Sequence, residues 1–226
     1  LAAVQGAASA QRTSVYALNG TSNAPRLLYA LTAGRPVFSP DGTRLALAAP
    51  EAVQLVEAKT GTPLSTLDHK NVDQLLFSAD GALLLGGARD SLIVWQAADG
   101  IQVKRMDYNR LVRLVFSADG SLLLVQNRTK QNEPVVDIWS AREWKLLSII
   151  KTAGTFSLSP DASRIAVFSN FPTPGKIEVF QLPEGKAMPG LRTDGSIHRM
   201  SFSPDGKTLA TASWDGTAKL WNTASG

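Results

Sequence analysis

The chain has 226 residues, of which 44% are hydrophobic and 19% charged, enough for one large globular domain of ordinary apolar content. It holds no cysteine; disulfides, zinc–thiolate centres and thiol catalysis are therefore excluded, and a reducing, cytoplasmic setting is expected. The net charge of +4 is unevenly placed: residues 104–151 hold nine basic and five acidic side chains, which accounts for the whole excess.

No apolar run approaches the roughly 18 residues that a membrane span needs, and Leu1 opens no basic leader. The chain does not begin with Met, so the natural N-terminus is expected further upstream.

One five-residue phrase recurs along the chain. It reads Phe38-Ser39-Pro40-Asp41-Gly42, Phe77-Ser78-Ala79-Asp80-Gly81, Phe116-Ser117-Ala118-Asp119-Gly120, Leu158-Ser159-Pro160-Asp161-Ala162 and Phe202-Ser203-Pro204-Asp205-Gly206, at steps of 39, 39, 42 and 44 residues. A period of about 40–45 residues points to the blades of a β-propeller.

Each unit has the same order. An apolar run (strand a) enters the phrase, whose Asp accepts backbone donors and whose Gly takes positive φ in a tight turn. A second run (b) leads through a variable turn to a third (c), which ends on Val56, Trp95, Trp139, Phe180 or Trp221. A polar turn and a fourth run (d) close the unit, as in Pro63-Leu64-Ser65-Thr66-Leu67. Short runs broken by Gly, Asp and Pro at regular intervals read as antiparallel β without helix.

The chain enters this template at strand b: Leu1-Ala2-Ala3-Val4 is b, Ser14-Val15-Tyr16-Ala17-Leu18 is c, and Leu27-Leu28-Tyr29-Ala30-Leu31 is d. The predicted organisation is one domain over residues 1–226. It comprises a partial blade at 1–31, full blades at about 35–67, 73–106, 112–150 and 155–191, and a partial blade at 197–226. That makes about 5.5 blades and 22 strands. Both partial blades hold b and c, so they cannot merge into one closing blade. A segment of a larger propeller is expected, with an open six-blade ring as the alternative.

The last repeat, from Ser201-Phe202-Ser203-Pro204-Asp205-Gly206 to Trp214-Asp215-Gly216-Thr217-Ala218-Lys219-Leu220-Trp221, resembles a WD40 repeat. The resemblance extends more loosely over the whole chain and implies an all-β, WD40-like propeller of four-stranded antiparallel blades serving as a protein-interaction scaffold. WD40 blades often carry a Gly-His pair before strand a, whose His joins a network with Asp, Ser/Thr and Trp. Here Arg192-Thr193 stands in that place, and His69 is one residue off it in an earlier blade. A narrower resemblance, carried by the start at strand b and by Ile165-Ala166-Val167-Phe168 to Lys176-Ile177-Glu178-Val179-Phe180, is to the propeller of eukaryotic translation initiation factor 2A. It implies contact with the ribosome or RNA and binding that weakens steeply with salt.

Little in the sequence suggests catalysis. His69 and His198 are the only histidines, both before strand a, where a loop or rim position is expected. No Gly-x-Ser-x-Gly elbow, Walker-type loop or converging metal-ligand set is present, and no cofactor or metal is expected. Asp41, Asp80, Asp119, Asp161 and Asp205 are read as turn formers, and Gly86-Gly87 as a point of close packing.

A protein partner is expected on the face that, by the resemblance, carries the d–a and b–c connections. Two b–c turns read as long, 126–134 and 169–175, and surplus loops are where binding is most often added. Phe171 is a candidate apolar anchor there and Trp214 a candidate aromatic on another b–c turn. Arg110, Arg113, Arg128 and Lys130 supply a basic patch able to attract phosphate or an acidic protein surface. Simple tolerance of insertion and a solvated basic rim remain the plain alternatives. The density of basic and stacking residues falls short of a dedicated nucleic-acid binder.

Overall fold

The computed structural model describes residues 2–7, 10–17, 26–31, 34–152, 154–169, 176–193 and 197–224. Those residues form twenty-three strand segments and no helix, arranged in six antiparallel sheets. The chain divides into two compact units, Leu1–Leu111 and Val112–Gly226.

The N-terminal unit holds three sheets. The first is β1 (Ala2–Ala7), β2 (Ala10–Ala17) and β3 (Arg26–Leu31). The second is β4 (Gly34–Phe38), β5 (Arg44–Ala48), β6 (Val53–Glu57) and β7 (Pro63–Leu67). The third is β8 (Gln74–Phe77), β9 (Leu83–Gly87), β10 (Ser91–Gln96) and β11 (Gln102–Asp107).

Three more sheets make the C-terminal unit, whose first strand begins two residues before the division. The fourth blade is β12 (Arg110–Phe116), β13 (Leu122–Arg128), β14 (Pro134–Ser140) and β15 (Lys145–Lys151). The fifth is β16 (Thr155–Leu158), β17 (Arg164–Ser169), β18 (Lys176–Gln181) and the pieces β19 (Lys186–Ala187) and β20 (Leu191–Arg192). The sixth is β21 (Ile197–Phe202), β22 (Thr208–Ser213) and β23 (Ala218–Asn222). Both β19 and β20 pair with β18, so they are one outer strand interrupted at Met188-Pro189-Gly190. The predicted twenty-two strands therefore appear as twenty-three segments.

The second strand of the second, third, fourth and fifth blades carries an apolar run because it is buried on both faces. Successive side chains of a strand point to opposite faces. Leu45 and Leu47 join the core shared by the first and second sheets, whereas Ala46 and Ala48 join the one shared by the second and third. In the C-terminal unit, Ile165 and Val167 pack towards the fourth blade while Ala166 and Phe168 pack towards the sixth. Each such large aliphatic side chain contributes roughly 1.5–3 kcal/mol by leaving water.

The repeated phrase builds one device five times. In the first copy Gly42 N–H donates to Ser39 O at 2.9 Å and Ser39 N–H to Arg44 O at 3.0 Å, a turn closed by a residue at positive φ. The serine hydroxyls donate to the aspartates at 2.5–2.6 Å. They accept at 2.9–3.0 Å from the N–H that opens the next strand. Each aspartate also accepts an N–H two residues on, at 3.0–3.1 Å. The serine bond is the main reason that all five carboxyls titrate low, Asp41 at about 2. These aspartates are turn formers, as predicted. Ala162 takes the glycine place at φ +56°.

Two local expectations are corrected. The connection read as a long loop at 126–134 is mostly strand: β13 and β14 pair as far as Arg128 and Pro134, leaving only residues 129–133 as turn. His69 is no rim residue. It is buried, with its ring edge-on to Trp95 at 5.9 Å, and Trp95 in turn seats on Gly86, where a Cβ would stand 2.8 Å from its ring.

Candidate partner-binding surface

In the C-terminal unit the fourth and fifth blades share one core, and the fifth and sixth share another. The outer strand of the fourth blade meets the c–d turn of the fifth, where Ser148 Oγ donates to Pro183 O at 2.6 Å.

The four candidate basic residues lie on the fourth blade, two on β12 and two at the β13–β14 hairpin. Arg110 opens β12 and is exposed. Arg113 is exposed on the same strand, with its guanidinium carbon 5.0 Å from the centroid of the Phe156 ring. That position makes it part of the wall between two blades as well as a surface charge. Arg128 ends β13 and donates from Nη1 to Asn132 O at 2.8 Å, so its head is tied to its own turn. The turn is closed by Thr129 N–H to Glu133 O at 2.9 Å and Asn132 N–H to Thr129 O at 2.8 Å, with Asn132 at φ +63°. Lys130 is exposed on that turn. Lys151 Nζ lies 3.4 Å from Glu133 Oε2, which offsets part of the positive field.

Trp214 stands on the b–c turn of the sixth blade and is 77% exposed. The turn beneath it is tightly held. Asp215 accepts from Thr217 N–H at 2.8 Å and Thr217 Oγ1 at 2.7 Å, which keeps its carboxyl below the usual range, and Gly216 sits at φ +83°. The ring lies 4.9 Å from that of His198 on β21. An exposed aromatic on a fixed turn loses little freedom on binding. Phe171 lies outside the described residues.

Two buried polar groups escaped the sequence reading. Asp137 on β14 is 8% exposed. Burial raises its pKa to about 6, against the opposing effect of a hydrogen bond from Asn127. Asn127 is buried too and donates to Val125 O at 3.1 Å. A strand c whose apolar pattern is broken by Asp was the available signal. Among the described residues His69 has no hydrogen-bond partner on either ring nitrogen, and its burial lowers its pKa. Among the described residues no group of three or more His, Cys, Asp or Glu is placed to hold a metal ion, and no helix is long and apolar enough to cross a membrane.

In the sixth blade Trp221 Nε1 donates to Thr211 Oγ1 at 3.0 Å. That is two members of the Trp–Ser/Thr–His–Asp network often found in WD40 blades, whose histidine is replaced here by Thr193, as the sequence indicates. The WD40 family model (WD domain, G-beta repeat) matches residues 189–222, which cover the end of the fifth blade and the sixth. No curated protein was found to match the chain. The match bears on the WD40 repeat and carries nothing about the translation-factor resemblance. WD40 blades are in general non-catalytic scaffolds for protein partners. Residues 189–222 thus match a WD40 repeat, and the other sheets are built on the same antiparallel plan.

Proposed function

We propose that the chain is a non-catalytic interaction scaffold, a single WD40-like propeller domain in the cytoplasm. It docks a protein partner on the b–c end of its C-terminal blades. Trp214 is the apolar anchor; Arg110, Arg113, Arg128 and Lys130 form a basic rim that favours an acidic partner surface, and Phe171 is the second anchor. The single observation that carries this reading is Trp214, a large ring held in solvent by a turn whose own polar groups are satisfied. Rigid aromatic and arginine side chains are the usual source of binding energy at such surfaces.

The test is a pulldown with the tagged chain from its source lysate, with and without nuclease. A nuclease-resistant partner is expected, and it should be lost on Trp214→Ala combined with Arg128→Glu and Lys130→Glu. A partner that survives those substitutions would remove the surface from consideration. A partner lost to nuclease alone would replace the protein surface with RNA as the ligand.

A further inference from the structure

The outer strand of a blade exposes a row of unpaired main-chain groups, an edge that soluble proteins ordinarily protect with prolines, charges or breaks. Three of the four complete blades do so. In the second, β7 begins with Pro63. In the third, β11 carries Lys104, Arg105 and Asp107, the last two paired at 3.1 Å. The outer strand of the fifth is interrupted at Met188-Pro189-Gly190.

The fourth blade differs. Its outer strand β15 has seven residues, Lys145–Lys151, and the five between the lysines are Leu146, Leu147, Ser148, Ile149 and Ile150. Among the described residues the strand pairs with β14 alone. Leu146 and Leu147 are exposed, and Ile149 is 54% exposed. Thr152 donates its N–H to Pro134 O at 3.0 Å. Main-chain groups alternate in direction along an antiparallel strand, so those of Ile150 and Ser148 face β14, and those of Ile149 and Lys151 face outward. Ser148 and Ile150 also pack against the fifth blade around Gly185 and Pro183, which fixes the strand in place.

We propose that β15 is a strand acceptor. An extended segment of a partner protein, with acidic residues on both sides of a short alternating apolar stretch, adds to it as a fifth strand of the fourth blade. Main-chain hydrogen bonds to Ile149 and Lys151 give affinity, in the manner of strand addition. Ile149 gives an apolar cross-strand pair. Lys145, with Arg142 three residues before it in the chain, and Lys151, which also lies 3.4 Å from Glu133, select acidic ends. The same charges argue against a second copy of this chain. Antiparallel pairing centred on Ser148 sets Lys145 opposite Lys151, and in-register parallel pairing sets each lysine opposite itself; like charges directly opposite destabilise a pair.

The probe is a fluorescent synthetic peptide of alternating valine and threonine with two glutamates at each end, alongside a version ending in lysines. Anisotropy is measured on the whole chain. The wild type is expected to bind the glutamate-ended peptide at least tenfold more tightly than the lysine-ended one. Ile149→Pro removes an outward N–H and no bond to β14, a change an edge strand tolerates, and it should abolish binding with the circular dichroism spectrum unchanged. Lys145→Glu with Lys151→Glu leaves the main chain intact and should reverse the preference. The proposal fails if neither peptide binds, if Ile149→Pro binds as wild type does, or if the charge reversal leaves the preference unmoved. A concentration-dependent dimer that Ile149→Pro abolishes would also overturn it, by making a second copy the occupant. Lys151 is ion-paired with Glu133 on the 129–133 turn, whereas Ile149→Pro leaves Trp214, Arg128, Lys130 and that pair in place, so it is the variant that tests the edge apart from the b–c surface.

Discussion

The sixth and fourth blades use one template and spend it differently. In the sixth, Trp221 Nε1 donates to Thr211 across the sheet. In the fourth, Val125 holds the position matching Thr211, and Trp139 Nε1 is buried with no partner among the described residues. The fourth blade then buries Asp137 and Asn127 as well and extends its strands to seven residues. An unmade buried hydrogen bond costs about 1–3 kcal/mol, and a buried carboxyl costs more unless it holds a proton. The regular blade is therefore built for stability. The departed blade accepts polar burial, and it also carries the basic turn and the open edge. The sites argued for in the fourth blade thus coincide with the places where it leaves the template.

The largest effect expected from this contrast lies at Asp137. Its pKa is raised from 3.8 to about 6 by burial, so between those values the folded state holds a proton that the unfolded chain has released. Stability accordingly falls as pH rises from about 4 to about 6. A shift of this size corresponds to at most about 3 kcal/mol. Asp137→Asn keeps an acceptor for Asn127 and removes the charge. Chemical denaturation should show it stabilised by up to that amount at pH 8 and nearly unchanged at pH 4. A variant no more stable than wild type at pH 8 would mean that the carboxylate is better solvated than its burial implies.

His69 in the N-terminal unit gives the opposite sign. Its folded pKa lies below 6.5 because burial disfavours the imidazolium, so its contribution is present above pH 6.5 and is lost as pH falls. His69→Leu should flatten the acid limb of the stability profile below that value. An unchanged limb would show that the ring protonates without disturbing its contact with Trp95.

The turn phrase is common to both blades and serves as their control. Gly120 and Gly206 sit at φ +69° and +67°, where a side chain costs roughly 1–2 kcal/mol. Gly120→Ala and Gly206→Ala should lower stability by similar amounts in this range. The fifth blade offers the reverse experiment. Ala162 already sits at φ +56°, and Ala162→Gly should raise the midpoint of unfolding slightly, since relief of strain outweighs the loss of one methyl contact. Unequal losses at the two glycines would place the difference between the blades in their turns instead of in their strands.

The sequence disclosed what is local and repeated. The aspartate turns, the strand order and the ends of strand c at Trp95, Trp139 and Trp221 all depend on residues close together in the chain. What escaped reading depends on distant partners. His69 is buried because Trp95, from a strand further on, closes over it. Gln126, Asn127 and Arg128 look like loop residues by polarity, yet they extend β13 because Val135, Val136 and Asp137 pair with them or beside them. The exposure of Trp214 could be guessed from its place in a turn, but its contact with His198 could not. The residues 146–150 were legible as a strand, whereas their open edge is visible only once the other outer strands are seen to be guarded.

The smallest effect tests the contrast most directly. Thr211→Val removes the acceptor for Trp221 Nε1 while nearly conserving volume, and should cost about 1 kcal/mol, the net worth of one such bond. Val125→Thr makes the matching change in the fourth blade. It offers Trp139 Nε1 an acceptor but buries a hydroxyl that must itself be satisfied, so its gain should be at most about 1 kcal/mol. If both hold, the two blades differ by one hydrogen bond at that position. A Val125→Thr variant that loses stability would mean that the fourth blade cannot bring its tryptophan to the geometry of the sixth. Polar burial at Asp137 would then belong to a rearranged strand c, beyond a substitution within an unchanged one.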